Sequence, residues 1–370
     1  MKHNLEFQNI GNVYDFEKGV LQSSKNTAGD FTFITASEEI KTHNEYYYDT
    51  EALCFAFAAS GSLGRTHYFK GKFIASDLVY VLTPKKEYEN KIDLKFHSYF
   101  LNHFKNEIVR MSKSGTSKVS INSESFSKIK IPIPLLSEQK AIVKKVEAVE
   151  NKVELIEKLR AEQSKDIKNL LYSKYTDLIE VAEWLPMKEV APIIRREVKL
   201  NEEALYPELG IRCFGNGTFH KPALTGLEVA TKKIFQIKQG DLVFSNVFAW
   251  EGGIAVAKEE DNDRYGSHRF ISCVADKEKA LEEFLCFHFL SPKGLEDINA
   301  CSPGGAGRNK TLGLDKLMKI KVPSPDIILQ EEFVELLHKV NAIKEQHSET
   351  EKELTQLMPS LLDKAFKGEL

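Results

Sequence analysis

The sequence predicts an α+β chain: two pseudo-repeated mixed α/β domains, each followed by a long α-helix, with the two helices pairing as an antiparallel coiled coil. A repeat is the first reason. Pro132, Pro134 and Gln139 recur as Pro323, Pro325 and Gln330, a constant offset of 191 residues. Phe57, Gly61, Ser76 and Ile129 recur at the same offset as Phe248, Gly252, Ser267 and Ile320. The second reason is spacing: after each proline-punctuated junction, apolar residues fall three and four apart, the seam of a coiled coil. The third is the series of short apolar stretches and glycine loops before each junction, which marks a strand-rich domain. The segments are therefore a first domain at 1–135, a first helix at 136–179, a second domain at 180–326 and a second helix at 327–370.

In the first domain, Ala52–Ala59 (ALCFAFAA) is continuously apolar, as in a strand buried on both faces. It ends at Gly61-Ser62-Leu63-Gly64, where two glycines can take positive φ. Lys72–Leu82 reads as another strand, and Leu94–Val109 as a helix through Phe96, Tyr99, Phe100, Phe104 and Ile108. A polar loop, Ser112–Ser120 (SKSGTSKVS), precedes the last strand at Ile129–Pro134. The first helix opens with Ser137 as N-cap and with Glu138 at the positive end of the dipole. Its seam is Ile142, Val146, Val149, Val153 and Ile156, lapsing at Arg160 and Gln163 and resuming at Ile167 and Leu170. No Gly or Pro interrupts Ser137–Ile179, so the rod is about 60 Å long. A helix this polar needs a partner along its seam.

Trp184-Leu185-Pro186 ends that helix and starts the second repeat. There the loop Cys301–Thr311 (CSPGGAGRNKT) stands in the place of Ser112–Ser120. The second helix carries Phe333, Leu337, Val340, Leu354, Leu357 and Leu361, with His347 inside the seam. Two long helices joined through a domain pack antiparallel, so each rod is the other's partner.

Composition sets bounds on function. A chain of 370 residues with 42% hydrophobic and 28% charged residues is an ordinary globular protein with room for two cores. No apolar run reaches the length of about 18 residues that a membrane span needs. The N-terminus has no apolar segment of the kind found in a secretory signal. Five scattered cysteines without a CxxC pair argue against a disulfide framework or a zinc ribbon and fit a reducing cytoplasm. A net charge of −3 is not that of a strongly basic nucleic-acid binder, so any grip on DNA comes from local patches or from a partner.

The pattern resembles the specificity subunit of type I restriction–modification systems. The residues that carry the resemblance are IPIPLLSEQ at Ile131–Gln139, its echo VPSPDIILQ at Val322–Gln330 and LLDKAFKGEL at Leu361–Leu370. FAASGSLG at Phe57–Gly64, SKSGTS at Ser112–Ser117 and the duplicated layout also fit. The resemblance implies two target-recognition domains, each reading half of a bipartite DNA site, with the coiled coil fixing the spacer. It implies partners as well: double-stranded DNA, two DNA methyltransferase subunits docked on the helices, and restriction subunits with a nuclease and an ATP-driven motor. It implies no catalysis and no cofactor in this chain, the methyl donor, ATP and Mg being bound by the partner subunits.

Under that resemblance, the candidate DNA contacts are loop residues. Lys113, Ser114, Thr116, Ser117 and Lys118 offer hydroxyls and ammonium groups to phosphates, and Arg308, Asn309 and Lys310 stand at the counterpart place. Arg and Asn can also read guanine and adenine edges bidentately. A second set follows the apolar strands: Ser62, Arg65 and His67, then His268 and Arg269. Trp250 reads first as a core or rim residue and second as a ring that stacks on DNA. Arg195 and Arg196 read as solvent-facing, with phosphate contact as the alternative.

Gly304–Thr311 resembles a phosphate-binding loop, but it leads into a strand rather than a helix and its duplicate lacks the pattern. HExxH, GxSxG and the Asn-Pro-Pro-Tyr or Asp-Pro-Pro-Tyr box of adenine methyltransferases are absent. Two other readings stay open. One is the specificity subunit of a related system whose partner fuses nuclease and methyltransferase, and the other is a coiled-coil scaffold with no DNA role.

Overall fold

Each domain closes by zipping its first strand to its last. Phe7–Asn9 pairs antiparallel with Lys130–Pro132, and Glu183–Pro186 pairs antiparallel with Lys321–Ser324. Proline has no amide to donate, so Pro132 and Pro323 sit where a ladder can end, in two-stranded ribbons rather than inside a sheet. The computed structural model describes residues 6–59, 61–114, 119–230, 232–304 and 310–369. It divides into two compact units, 1–161 with 347–370 and 162–346.

In the first unit, a six-stranded sheet runs Tyr14–Lys18, Val79–Pro84, Tyr48–Ala56, Thr66–Ala75, Phe31–Ile34, Lys41–His43 from edge to edge. Only the pairing of Phe31–Ile34 with Thr66–Ala75 is parallel. The central strand is buried on both faces, as its apolar run implies. Leu53 and Phe55 enter one core with Tyr80, Leu82, Phe96, Phe100 and Phe126, while Ala52, Cys54 and Ala56 enter another with Ile34, Phe73 and Val81. The stretch read as one strand over Lys72–Leu82 is two strands, Thr66–Ala75 and Val79–Pro84, because Ser76–Leu78 turns the chain; the Val79 amide bonds to the Ser76 carbonyl. The stretch read as one helix over Leu94–Val109 is likewise two, Leu94–His103 and Lys105–Ser112, with Phe104 out of helical geometry between them.

The second unit repeats four of those six strands in the same order: Ile193–Ile194, Phe270–Cys273, Leu242–Ser245, Ile254–Val256. Where the first domain inserts Phe31–His43, the second inserts a larger antiparallel hairpin, Leu205–Ile211 with Thr218–Thr225, in a separate four-stranded sheet with Tyr265–Ser267 and Ile234–Gln236. This is why the constant offset fails before the central strands and holds after them.

The long helices are Leu136–Glu180 and Ile327–Phe366. Ser137 lies inside the first turn rather than capping it; the Leu135 amide instead donates to the Glu138 carboxylate at 3.0 Å. The second helix has a capping aspartate, Asp326, whose carboxylate accepts the Ile328 amide at 2.9 Å. In the first unit Val143 shares a core with Phe366 and Leu362, while Arg160 meets Thr350 and Glu351. Residue numbers run in opposite directions along that contact, so the helix segments are antiparallel. In the second unit Leu171 and Tyr175 pack with Phe333, Val334 and Val340.

The buried stripe departs from the seam read from heptads. Val146, Phe333 and Val340 are buried, and Ile142, Val149, Val153, Leu337, Leu354 and Leu361 are half-buried. Ile156, however, is 37% exposed and Leu357 is 44% exposed, with Met358 on the inner side instead; Leu171 is buried rather than Leu170. Near each domain the helix faces that domain as well as the other helix. Lys95 and Tyr99 bind Glu147 and Glu150 of the first helix, and this contact rather than the heptad decides which face is covered. Past Leu357, Pro359 removes one amide from the helical ladder.

One glutamine seats each helix on its domain. Gln139 is fully buried; its Oε1 accepts the Asp93 amide at 2.8 Å and its Nε2 donates to the Lys91 and Pro134 carbonyls at 2.9 and 2.7 Å. Gln330 repeats the arrangement, accepting the Leu281 amide at 3.0 Å and donating to the Lys279 and Pro325 carbonyls at 3.0 and 2.8 Å. The helix start, the domain helix and the proline junction are thereby fixed to one side chain.

Candidate nucleic-acid interface

In the first unit the structure brings Ser62, Arg65 and His67 together around the segment Ala36–Glu39. The Arg65 guanidinium donates to Ser62 Oγ at 3.2 Å and reaches the exposed carboxylate of Glu38 at 3.4 Å. His67 Nε2 donates to the Ser37 carbonyl at 2.8 Å, and burial lowers its pKa below the usual histidine value, so the ring is held neutral. These residues form a tethered cluster at the end of the Thr66–Ala75 strand. Lys113 is exposed at the base of a hairpin in which Lys113–Ser114 pairs with Ser120–Ile121. Thr116, Ser117 and Lys118, with the side chain of Ser114, lie outside the described residues, as do Arg308 and Asn309 of the second unit.

In the second unit His268 and Arg269 are exposed on the turn between Tyr265–Ser267 and Phe270–Cys273. Arg195 holds that turn from behind: its guanidinium donates to the Phe270 carbonyl at 2.8 Å and lies 4.6 Å from the Phe235 ring. Arg196 pairs with the buried Asp241 through two bonds of 2.5 and 3.0 Å. Both arginines therefore hold structure: Arg196 is half-buried on its carboxylate, while Arg195 is exposed to solvent with its guanidinium tied to the turn. Trp250 is half-buried, donating from Nε1 to the Val247 carbonyl at 2.9 Å, and packs on the domain core. Lys310 lies over its ring at 4.7 Å and bonds to Asn299 Oδ1 at 2.7 Å. Trp250 is thus a rim residue with its outer face under a lysine.

Residues not singled out from the sequence also matter. Gln139 and Gln330 stood there only as markers of the repeat. The turn Arg212–Gly217 (RCFGNG) projects Phe214 into solvent beside the Trp250 turn, and an aromatic followed by Gly-Asn-Gly is a signal the sequence does carry. Among the described residues no group of three or more His, Cys, Asp or Glu side chains is placed to hold a metal ion, and no helix is long and apolar enough to cross a membrane.

These features define a class: a protein with two mixed α/β domains of common strand order, each feeding a long helix, with helix segments paired antiparallel. Residues 3–163 match the family model for the type I restriction modification DNA specificity domain. The fold is shared along the whole chain with the type I restriction–modification S subunit from M. genitalium, at 15% identity and a TM-score of 0.56, covering 98% of this chain and 96% of that one. It is shared equally with the HsdS subunit from Thermoanaerobacter tengcongensis, at 20% identity and a TM-score of 0.58, covering 99% and 97%. A chain from a study of complex assembly and conformational transition in the type I R-M system matches at 20% identity and a TM-score of 0.63, covering 100% of both. The first part of the chain, residues 3–163, thus carries a type I restriction modification DNA specificity domain, and the full length has the fold of the S subunits it is similar to.

Proposed function

We propose that this chain reads a bipartite DNA sequence for a type I restriction–modification complex, each domain taking one half-site and the paired helices setting the unspecified spacer. The observation that carries this reading is the duplicated glutamine seat. A reader whose orientation sets a spacer must be rigidly joined to its ruler, and Gln139 and Gln330 supply the same three bonds at the two junctions. Such buried, fully satisfied side chains fix geometry. Lys113, His268, Arg269 and Lys310 are the described residues proposed to face DNA. The loop residues Ser114, Thr116, Ser117, Lys118, Arg308 and Asn309 join them on the strength of their chemistry alone.

In this reading the chain performs no chemistry. Methyltransferase subunits bind the methyl donor, and restriction subunits bind ATP and Mg. The first helix carries a stripe, Leu155, Ile156 and Leu159, whose two leucines are more than half exposed. Apolar side chains one turn apart on a rod suit a protein partner, and we assign this stripe to a methyltransferase subunit. The test is methylome sequencing of a host that expresses the chain with its methyltransferase. The expected result is adenine methylation of one split motif that disappears when this chain is deleted. Methylation that persists without it, or that falls on an unsplit motif, overturns the reading in favour of a scaffold.

A further inference from the structure

One residue of the second unit is held in a backbone conformation that its side chain does not favour. Phe214, in the turn between Leu205–Ile211 and Thr218–Thr225, has φ +61°. A bulky residue in the left-handed region is an outlier, whereas glycine would take it without strain. The surrounding backbone enforces it. The Phe214 amide donates to the Glu251 carbonyl at 2.8 Å, the Gly215 amide to the Gly252 carbonyl at 2.9 Å and the Arg212 amide to the Gly217 carbonyl at 2.9 Å. Gly252, at φ +74°, lets the two turns touch: a Cβ there would come within 3.3 Å of the Phe214 backbone. So the backbone of the turn is clamped, yet the ring it carries is 80% exposed. Neither core packing nor a local hydrogen bond explains an aromatic ring at this place. Strain of this kind collects where a ligand is met.

The neighbours indicate which ligand. Arg212 and Asn216 are exposed on the same turn, the Arg212 guanidinium lying 5.1 Å from the Phe219 ring. The clamping turn carries Phe248, exposed at its edge, and Trp250 with Lys310 above it. One carboxylate, Glu251, lies behind the turn, 3.5 Å from Cys213 Sγ. An arginine, an amide and a lysine around a projecting ring form a surface for nucleic acid: cations for phosphates, Arg and Asn for base edges, and a ring to enter a base step. We propose that Phe214 is a stacking wedge that inserts between bases in the half-site taken by the second domain, with Arg212 and Asn216 beside it in the groove. The proposal rests on the DNA-reading function above. Among the described residues the first domain has no aromatic side chain at positive φ, so the wedge distorts one half-site only.

The experiment uses the full chain assembled with its methyltransferase, on duplexes carrying the motif found by methylome sequencing, with 2-aminopurine placed in turn across both half-sites. The wild type should raise fluorescence in one half-site only. F214A and F214G should abolish that rise and weaken binding about tenfold, within the range expected of one lost base–aromatic stack, while F214W keeps both. F214G should also melt no lower than the wild type, because glycine relieves the backbone; this separates lost function from lost fold. F214A that binds and unstacks like the wild type overturns the wedge. So does F214A that loses its methyltransferase in the absence of DNA, which makes the ring a protein contact. A wild-type complex that does not prefer its motif over a scrambled duplex overturns the DNA-reading function itself.

Discussion

Two histidines at the same place in the repeat show duplication followed by divergence. His97 and His288 are fully buried. His97 donates from Nε2 to the Pro132 carbonyl at 2.9 Å, so its Nδ1 must accept, and the Tyr14 hydroxyl donates to it at 2.6 Å. His288 meets Tyr175 at 2.6 Å through Nδ1, but its Nε2 is buried without a partner among the described residues. His97→Phe should therefore cost more than His288→Phe by about 1–3 kcal/mol, because only the first strands a carbonyl as well as a hydroxyl; urea titration of both variants checks this. Burial, the main cause, lowers both histidines to about 4. The unfolded chain takes protons near pH 6.5 and the folded chain does not until about pH 4. Each histidine's contribution is thus complete above pH 6.5 and is lost as pH falls toward 4, by up to about 3 kcal/mol. Melting temperature followed from pH 7.5 to 4.5 should fall, and less steeply in His97→Phe. None of this was legible in the sequence, where ten dispersed histidines carry no sign of their partners.

At the scale of elements, the long helices were legible and the faces they bury were not. Their existence follows from proline junctions, absent glycines and apolar spacing, all local properties of the chain. Which residues turn inward depends on what each helix meets in space, and so Ile156 and Leu357 lie outward. The end of the second helix is the clearest case. Phe366 packs its ring against Phe96 and Phe100 at 5.5 and 5.2 Å, and Asp363 binds His103 at 2.8 Å. Phe366→Ala should cost about 3–5 kcal/mol and should raise amide exchange over Leu94–His103 and Ile142–Val146. Unchanged exchange there would mean that the C-terminal turn is ornamental.

At the scale of the molecule, a chain with 51 Lys and Arg against 54 Asp and Glu has no overall attraction for a polyanion, so the proposed DNA contact depends on local cations. Lys310→Ala should weaken binding similarly for target and scrambled duplexes and reduce the salt dependence of the logarithm of affinity by about one unit. A loss confined to the target sequence would make Lys310 a base reader instead. The two-domain plan was visible in the sequence because repetition survives without knowledge of contacts. The interface was less so. Arg195 and Arg196 looked like free cations yet hold the sheet, while the strain at Phe214 is a backbone property that no composition reveals.

The lapse in the seam at Arg160 has one more consequence. Arg160 and Glu351 are the same position in the two repeats, and they meet each other at 3.0 Å. A pair of identical halves associating antiparallel would bring a residue at such a place against its own twin, two arginines or two glutamates. Opposite charges there are open only to halves joined in one chain and free to mutate separately. The ion pair is thus a mark of broken symmetry, and it distinguishes this molecule from any homodimer of its first half. Exchanging the charges, Arg160→Glu with Glu351→Arg, should leave thermal stability within about 0.5 kcal/mol of the wild type, while either change alone puts like charges together and should lower it.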